Sequence, residues 1–237
     1  MIKINKFEKS YGSKNIIKDW KFEFENGKIY GLIGRNGKGK TTILKCMSGL
    51  CISDQIDIHT EKGDVSNKDY LSRDIIYVSD DPTYYNDLTL REHLWIICRV
   101  EKYSKNESLN KMNYYIDAFK MQEYLDYYPA ALSKGTLQRM MLIMGLLRKT
   151  ENLLLDEPFN GLDPIQLMQA LQCCKKSSKE GKCIIISSHD IESLSEICDE
   201  YLIFTKSKIK SIQGNINRSY VNKLIGDSYE ENTSIDN

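Results

Sequence analysis

No stretch of this sequence is long and apolar enough to cross a bilayer. Its most continuous apolar runs, Met140 to Leu147 and Leu94 to Cys98, fall far short of the roughly 20 residues that a spanning helix needs. A net charge is missing too, because Lys+Arg and Asp+Glu both number 33 and cancel to +0. No broad positive field therefore holds the protein on nucleic acid, and any polyanion must be met locally. The seven cysteines are an odd number without a Cys-x-x-Cys pair, which argues against a disulfide framework or a zinc site and for reduced thiols used as small apolar groups. The start, Met1-Ile2-Lys3-Ile4-Asn5-Lys6, alternates like a strand and lacks the apolar block and cleavage site of a secretory signal. Together these absences predict a cytoplasmic chain that spans no membrane by itself.

What is present is an ordinary globular composition, 237 residues with 41% hydrophobic and 28% charged, which excludes long disorder and mini-proteins. Apolar runs recur at Ile29 to Ile33, Ile75 to Val78, Leu153 to Leu155 and Ile184 to Ser187. Each is strand-sized and apolar on both faces, as in a parallel sheet covered by helices. Ile2 to Phe7 and Trp20 to Phe24 alternate instead, predicting antiparallel strands with one wet face. From Leu90 to Arg148 the spacing turns helical, opening on the capping box Thr89-Leu90-Arg91-Glu92. Glu101 to Lys111 reads as a surface turn within it, and Tyr128-Pro129 as a second break. The organisation expected is one unit over 1–225, with a core of about 1–88 and 150–225, a helical subdomain of about 89–149, and a polar tail at 226–237.

The first residues that carry chemistry are Gly34-Arg35-Asn36-Gly37-Lys38-Gly39-Lys40-Thr41-Thr42, which fit the phosphate loop Gly-x-x-x-x-Gly-Lys-[Ser/Thr]. An apolar strand runs into the loop and a helical segment leaves it, so backbone amides and a helix N-terminus converge on one point. Lys40 would set its ammonium against the β- and γ-phosphates, and the Thr41 hydroxyl would bind Mg²⁺. Downstream, Asn152 to Pro158 reads as a buried strand ending in two acids, Asp156 and Glu157. Asp156 can hold the Mg²⁺ shell, and Glu157 can polarise a water for in-line attack on the γ-phosphate. A further strand delivers Ser188-His189-Asp190 to the same sheet edge, where the His189 imidazole could hydrogen-bond the γ-phosphate.

With Leu132-Ser133-Lys134-Gly135-Thr136-Leu137-Gln138-Arg139 standing just upstream of the acids, the ordered set resembles the nucleotide-binding subunit of an ABC transporter over about Ile2 to Ile212. The resemblance implies an α/β P-loop NTPase fold of RecA-like type, with a mostly parallel sheet, an N-terminal antiparallel β subdomain and an inserted α-helical subdomain. It implies a Mg-dependent ATPase with ATP as substrate, in which Tyr11 stacks on adenine and Asp163 communicates across a dimer. That dimer would be head-to-tail, of two copies or with a related ATPase subunit, so that Leu132 to Thr136 of one subunit closes over the phosphate held by Lys40 of the other. A separate multi-spanning permease would hold the pair at the inner face of the cell membrane, with export of a peptide, antibiotic or lipid-like cargo expected, and no nucleic acid.

Two departures from the family pattern stand out. Lys134 and Thr136 replace the third and fifth residues of Leu-Ser-Gly-Gly-Gln, and Asp80 stands where a glutamine touching Mg²⁺ is expected. A carboxylate can still ligate Mg²⁺ or its water, and Thr83-Tyr84-Tyr85 would lie beside the groove that receives the permease. The rival class is a soluble ABC ATPase acting on ribosomes or nucleic acid, which usually carries tandem cassettes, a long coiled coil or zinc modules absent from this sequence. A switch GTPase is more distant, because Asn67-Lys68-Asp69-Tyr70 fails at the last position of a guanine-reading Asn-Lys-x-Asp. A module that binds nucleotide without turnover is disfavoured by the complete set Lys40, Thr41, Asp156, Glu157 and His189.

Overall fold

The computed structural model describes residues 1–64, 74–205 and 208–230. The Asn67 to Tyr70 segment lies outside the described residues. Near the N-terminus, β1 (Ile2–Tyr11), β2 (Lys14–Phe24), β4 (Gln55–Thr60) and β5 (Gly63–Asp64) form an antiparallel sheet in the order β2-β1-β4-β5. A second sheet collects β3 (Ile29–Gly34), β6 (Ile75–Val78), β7 (Asn152–Asp156), β8 (Cys183–Ser187), β9 (Glu200–Phe204) and β10 (Ile209–Gln213) in the order β10-β9-β3-β8-β7-β6. Within it every neighbouring pair is parallel except β10 on β9. The strand leading into the phosphate loop therefore lies between β9 and β8, and the acid-bearing strand is the next beyond β8.

The all-apolar strands are explained by two cores, one on each face of this sheet. Leu153 and Leu155 of β7 face the core built with the helices, and Leu154 faces the core shared with the antiparallel sheet. In β3 the same division puts Ile29 and Ile33 on one side and Tyr30 and Leu32 on the other. Period-two alternation is thus still present, with both phases buried. On the second face Trp20, Phe22, Phe24 and Tyr30 pack ring against ring, with Phe24 and Tyr30 edge-on at 4.9 Å, which clamps the two sheets together.

The described helices are α1 (Lys40–Met47), α2 (Leu90–Val100), α3 (Lys105–Ala118), α4 (Lys134–Leu146), α5 (Pro164–Lys179), α6 (Ile191–Ser195) and α7 (Arg218–Glu230). α2 starts on the expected capping box of Thr89 and Glu92. The turn expected over Glu101 to Lys111 is shorter than read from the sequence, because Ser104 and Glu107 make a second capping box and α3 already begins at Lys105. Reciprocal side-chain to backbone bonds satisfy the orphan amides there, so the charges sit on a helix instead of a loop. The Tyr128-Pro129 break is a short 3-10 turn, Pro129–Ala131, before α4. α7 continues across position 226, where the sequence reading begins the polar tail. Arg218 of α7 makes an ion pair with Glu192 of α6 at 3.3 Å.

Candidate functional site

β3 ends at Gly34, and the chain turns through positive φ at Gly37 (74°) and Gly39 (98°) before α1 starts at Lys40. Gly39 is demanded twice over, since a Cβ there would lie 2.3 Å from Cγ2 of Ile16 on β2. The antiparallel sheet thus presses directly on the phosphate loop. As N-cap of α1, Gly39 offers no side-chain hydrogen bond, so the first amides of the helix face the crevice without a cap. The Lys40 ammonium donates to the Gly34 carbonyl at 2.7 Å. Burial pushes its pKa down, and the nearby Glu157 and Asp156 charges oppose that shift.

A cavity of 690 Å³ opens over this loop, within the size range of small-molecule sites. Its floor is Asn36 to Thr42, Tyr11 and Ile16 form one side, and Asp80, Glu157, Asn160 and His189 form the other. Gly34 and Arg35 belong to the loop but do not line the cavity. Tyr11 is 52% exposed. Lys9 Nζ sits 4.6 Å from its ring centre, and its hydroxyl meets Cys51 Sγ at 3.6 Å.

Asp156 lies behind Thr41 and is 2% exposed. Its Oδ1 accepts from the Thr41 hydroxyl at 3.1 Å and from the Ser187 hydroxyl of β8, and its Oδ2 accepts from the Tyr77 phenol at 2.9 Å. Burial, then the charge of Asp156, holds the Tyr77 phenol well above its ordinary pKa, so it remains a donor. Neither Ser187 nor Tyr77 stood out in the sequence. Tyr77 carried only its alternate place on β6, next to the β7 strand that ends in the acids.

Glu157 leaves the end of β7 with φ at 45°. Its amide donates to the Ser187 carbonyl at 3.0 Å and lies 3.1 Å from the Ser187 hydroxyl. Those contacts lock the turn that swings its carboxylate into the cavity. His189 Nδ1 lies 2.9 Å from Glu157 Oε2, so the carboxylate selects a ring with hydrogen on Nδ1. Asp190 then caps α6 through the Ser193 amide, which fixes the turn that presents His189.

The donors available to a divalent cation are hard oxygens, namely the Thr41 hydroxyl and the Asp156 and Asp80 carboxylates. Among the described residues no three His, Cys, Asp or Glu side chains surround one point. Hard oxygen donors of this kind suit Mg²⁺, which takes one or two carboxylates and completes its shell with water and phosphate oxygens. Asp80 Oδ1 accepts from Asn160 Nδ2 at 3.1 Å.

Leu132 to Thr136 does not line this cavity. Ser133 caps α4, accepting from the Thr136 amide at 3.2 Å. Thr136, the variant position, is buried and meets both the Ser133 hydroxyl at 2.8 Å and Arg139 Nη2 at 3.1 Å. Arg139 in turn donates to the Phe119 carbonyl at 2.8 Å, tying α4 to the end of α3. A Cβ on Gly135 would stand 2.6 Å from the Gly161 carbonyl, so the start of α4 touches the backbone of the loop after Glu157. Asp163 is also outside the cavity. It caps α5 by accepting from the Ile165 and Gln166 amides, both at 2.9 Å.

The family model for ABC transporters matches residues 17–160. The bacitracin transport ATP-binding protein BcrA of Bacillus licheniformis is 32% identical over 212 residues, covering 88% of this chain and 68% of its own length. The lantibiotic transport ATP-binding protein SrtF of Streptococcus pyogenes is 30% identical over 203 residues, 84% of each chain. A solved structure of an ATP-binding subunit of an ABC transporter superposes with a TM-score of 0.83 at 25% identity, covering 99% of this chain and 100% of that one.

Proposed function

The chain belongs to the ABC transporter family of ATP-binding proteins, and from that membership we propose that it hydrolyses ATP with Mg²⁺ to drive a separate membrane permease exporting a peptide antibiotic or a comparable amphiphile. The single observation that carries the proposal is the cavity that gathers Tyr11, the loop Asn36 to Thr42, Glu157 and His189 on one surface while leaving Leu132 to Thr136 outside it. A crevice with a phosphate cradle and a base but without the second helix N-terminus is half of a site. Head-to-tail pairing with another copy or a related subunit supplies the other half, setting Ser133 and the Gly135 amide over the γ-phosphate. The working unit is then residues 1–225, with 89–149 as its helical arm.

In this reading Tyr11 stacks on the base, the amides of Gly37 to Thr41 and the Lys40 ammonium hold the phosphates, and Thr41 with Asp156 and Asp80 orients the cation. Bound Mg²⁺ would neutralise charge on the β- and γ-phosphate oxygens. Glu157 accepts the proton of the attacking water, and its bond to His189 keeps the imidazole turned toward the γ-phosphate. Asp163 reports closure to the opposite site from its place at the start of α5. No helix among the described residues is long and apolar enough to span a membrane. Peptide-antibiotic cargo is supported by the names of SrtF and BcrA.

Glu157→Gln tests the reading. Turnover should fall by about 10²- to 10⁴-fold, the usual worth of a general base, while ATP affinity persists and a closed dimer accumulates in light scattering. Unchanged turnover would remove Glu157 from its role. Co-purification of the tagged chain from host membranes should recover a multi-spanning protein in stoichiometric amount, and recovery with ribosomes or nucleic acid instead would move the soluble ATPase to first place.

A further inference from the structure

Asp80 and Asn160 come from segments 80 residues apart and meet in the cavity wall through the 3.1 Å hydrogen bond from Asn160 Nδ2 to Asp80 Oδ1. Each stands on a loop that is fixed at both ends. The Asp80 loop is closed at its start by Ser79, whose hydroxyl donates to the Asp81 carbonyl at 2.8 Å and accepts from the Asp81 amide at 3.1 Å. Further along it is pinned to α2, where buried His93 accepts from the Tyr85 amide at 3.0 Å and bonds the Thr89 carbonyl at 2.8 Å through Nδ1. The Asn160 loop starts on Glu157, whose carbonyl accepts from the Asn160 amide at 3.2 Å. The next residue, Gly161, presents its carbonyl to Gly135 at the start of α4.

We propose that Asn160 is a positioning residue that latches the Asp80 loop to the N-terminus of α4, so that a displacement of residues 79–89 is transmitted through Asn160 and Gly161 to Ser133 and Gly135. The inference rests on the proposed function and deepens it, since Ser133 and Gly135 are there set over the partner's phosphate and Thr83 to Tyr85 are expected beside the permease groove. Formed, the latch spends Asp80 Oδ1 on the Asn160 amide; broken, it would release the Asp80 loop from the Asn160 loop while Asp163 still caps α5. A charge-assisted hydrogen bond of this kind is among the stronger single contacts a loop can make, and with His93 holding the far end there is little slack to absorb a shift. A row of adjacent contacts alone does not establish coupling, so the pair must be tested by whether its two members act together.

Hydrogen exchange on the nucleotide-free chain reads the latch without relying on turnover. Asn160→Ala should speed amide exchange at 79–85 and at 133–137 by about 5- to 30-fold, the range of a coupled contact, while β7 and β8 stay protected. Asp80→Ala should give the same pattern, and the double alanine variant should be no worse than either alone. Asn160→Asp sets two carboxylates against each other. Adding Asp80→Asn reverses donor and acceptor and should restore protection, which a merely structural loss of packing would not allow. In a Glu157→Gln background the same order should appear in ATP-driven dimerisation. Additive effects of the two alanines, exchange confined to one loop, or no rescue by the reversed pair would each overturn the latch. Failure of the unaltered chain to hydrolyse ATP or to dimerise would instead overturn the transporter-ATPase reading, and the exchange pattern would still decide the latch.

Discussion

Two helix N-termini in this protein are built to opposite specifications. α1 begins at a glycine that gives no cap, pressed from behind by Ile16 so that its amides open onto the cavity. α4 begins at Ser133, which already satisfies the Thr136 amide, and its first turn is braced by Thr136, Arg139 and the Phe119 carbonyl. Both ends carry the positive pole of a helix dipole. The difference teaches that an anion site is marked less by the dipole than by which amides the chain leaves without a cap. α1 leaves its first amides open to the cavity. α4 is complete as a helix start, and in the proposed function it meets a phosphate only when another subunit brings one to it.

The largest way to break this contrast is Lys40→Ala, which removes the ammonium from the cradle. ATP-dependent turnover should fall by about 10²- to 10³-fold, comparable with loss of one preorganised donor, with the circular dichroism spectrum unchanged. Arg139→Leu strikes the other helix. Losing a buried, charged hydrogen-bond anchor should cost about 2–3 kcal/mol in urea unfolding, yet ATP binding to the isolated chain, measured calorimetrically, should stay near its original value. Equal damage to affinity would show that the two helix starts are not separable within one chain. Gly135→Ala sharpens the distinction further, because the added methyl must displace the Gly161 carbonyl. About 1–3 kcal/mol of overpacking cost is expected, seen as a lower Tm and as weaker ATP-driven dimerisation with monomer affinity retained. The mildest is Tyr77→Phe, which leaves Asp156 with one donor fewer. A loss of about 1 kcal/mol should appear as a several-fold higher Mg²⁺ requirement for turnover.

The same contrast explains what the sequence made legible. The α1 site is local: the glycines, Lys40 and Thr41 are consecutive, and the strand before them is apolar on both faces, so chemistry and framework can be read from one stretch. Asp156, Glu157 and His189 follow from strands of the same kind. Contacts that arise only when strands become neighbours were not legible, including Tyr77 and Ser187 on Asp156, Ile16 on Gly39, and Asn160 on Asp80. No spacing rule links a residue on β6 to one on β7 until the order β10-β9-β3-β8-β7-β6 is known. Short strands of mixed character, such as β4 with Gln55, Asp57 and His59, leave little trace in the sequence, because their alternation is too brief to stand out. The start of α3 was hidden differently. Its charged first half looked like loop, although Ser104 and Glu107 carried the cap that defines it.

Glu157 holds φ at 45°, a left-handed backbone that costs an L-residue about 1 kcal/mol and costs glycine almost nothing. The carboxylate proposed as base thus occupies a position where folding alone would favour a residue without a side chain. Selection for heat resistance, applied to this protein without selection for turnover, should therefore drift toward Glu157→Gly. Such a survivor would be sturdier and inert, and its appearance in a thermostability screen would measure how far durability and work pull against each other at a single position.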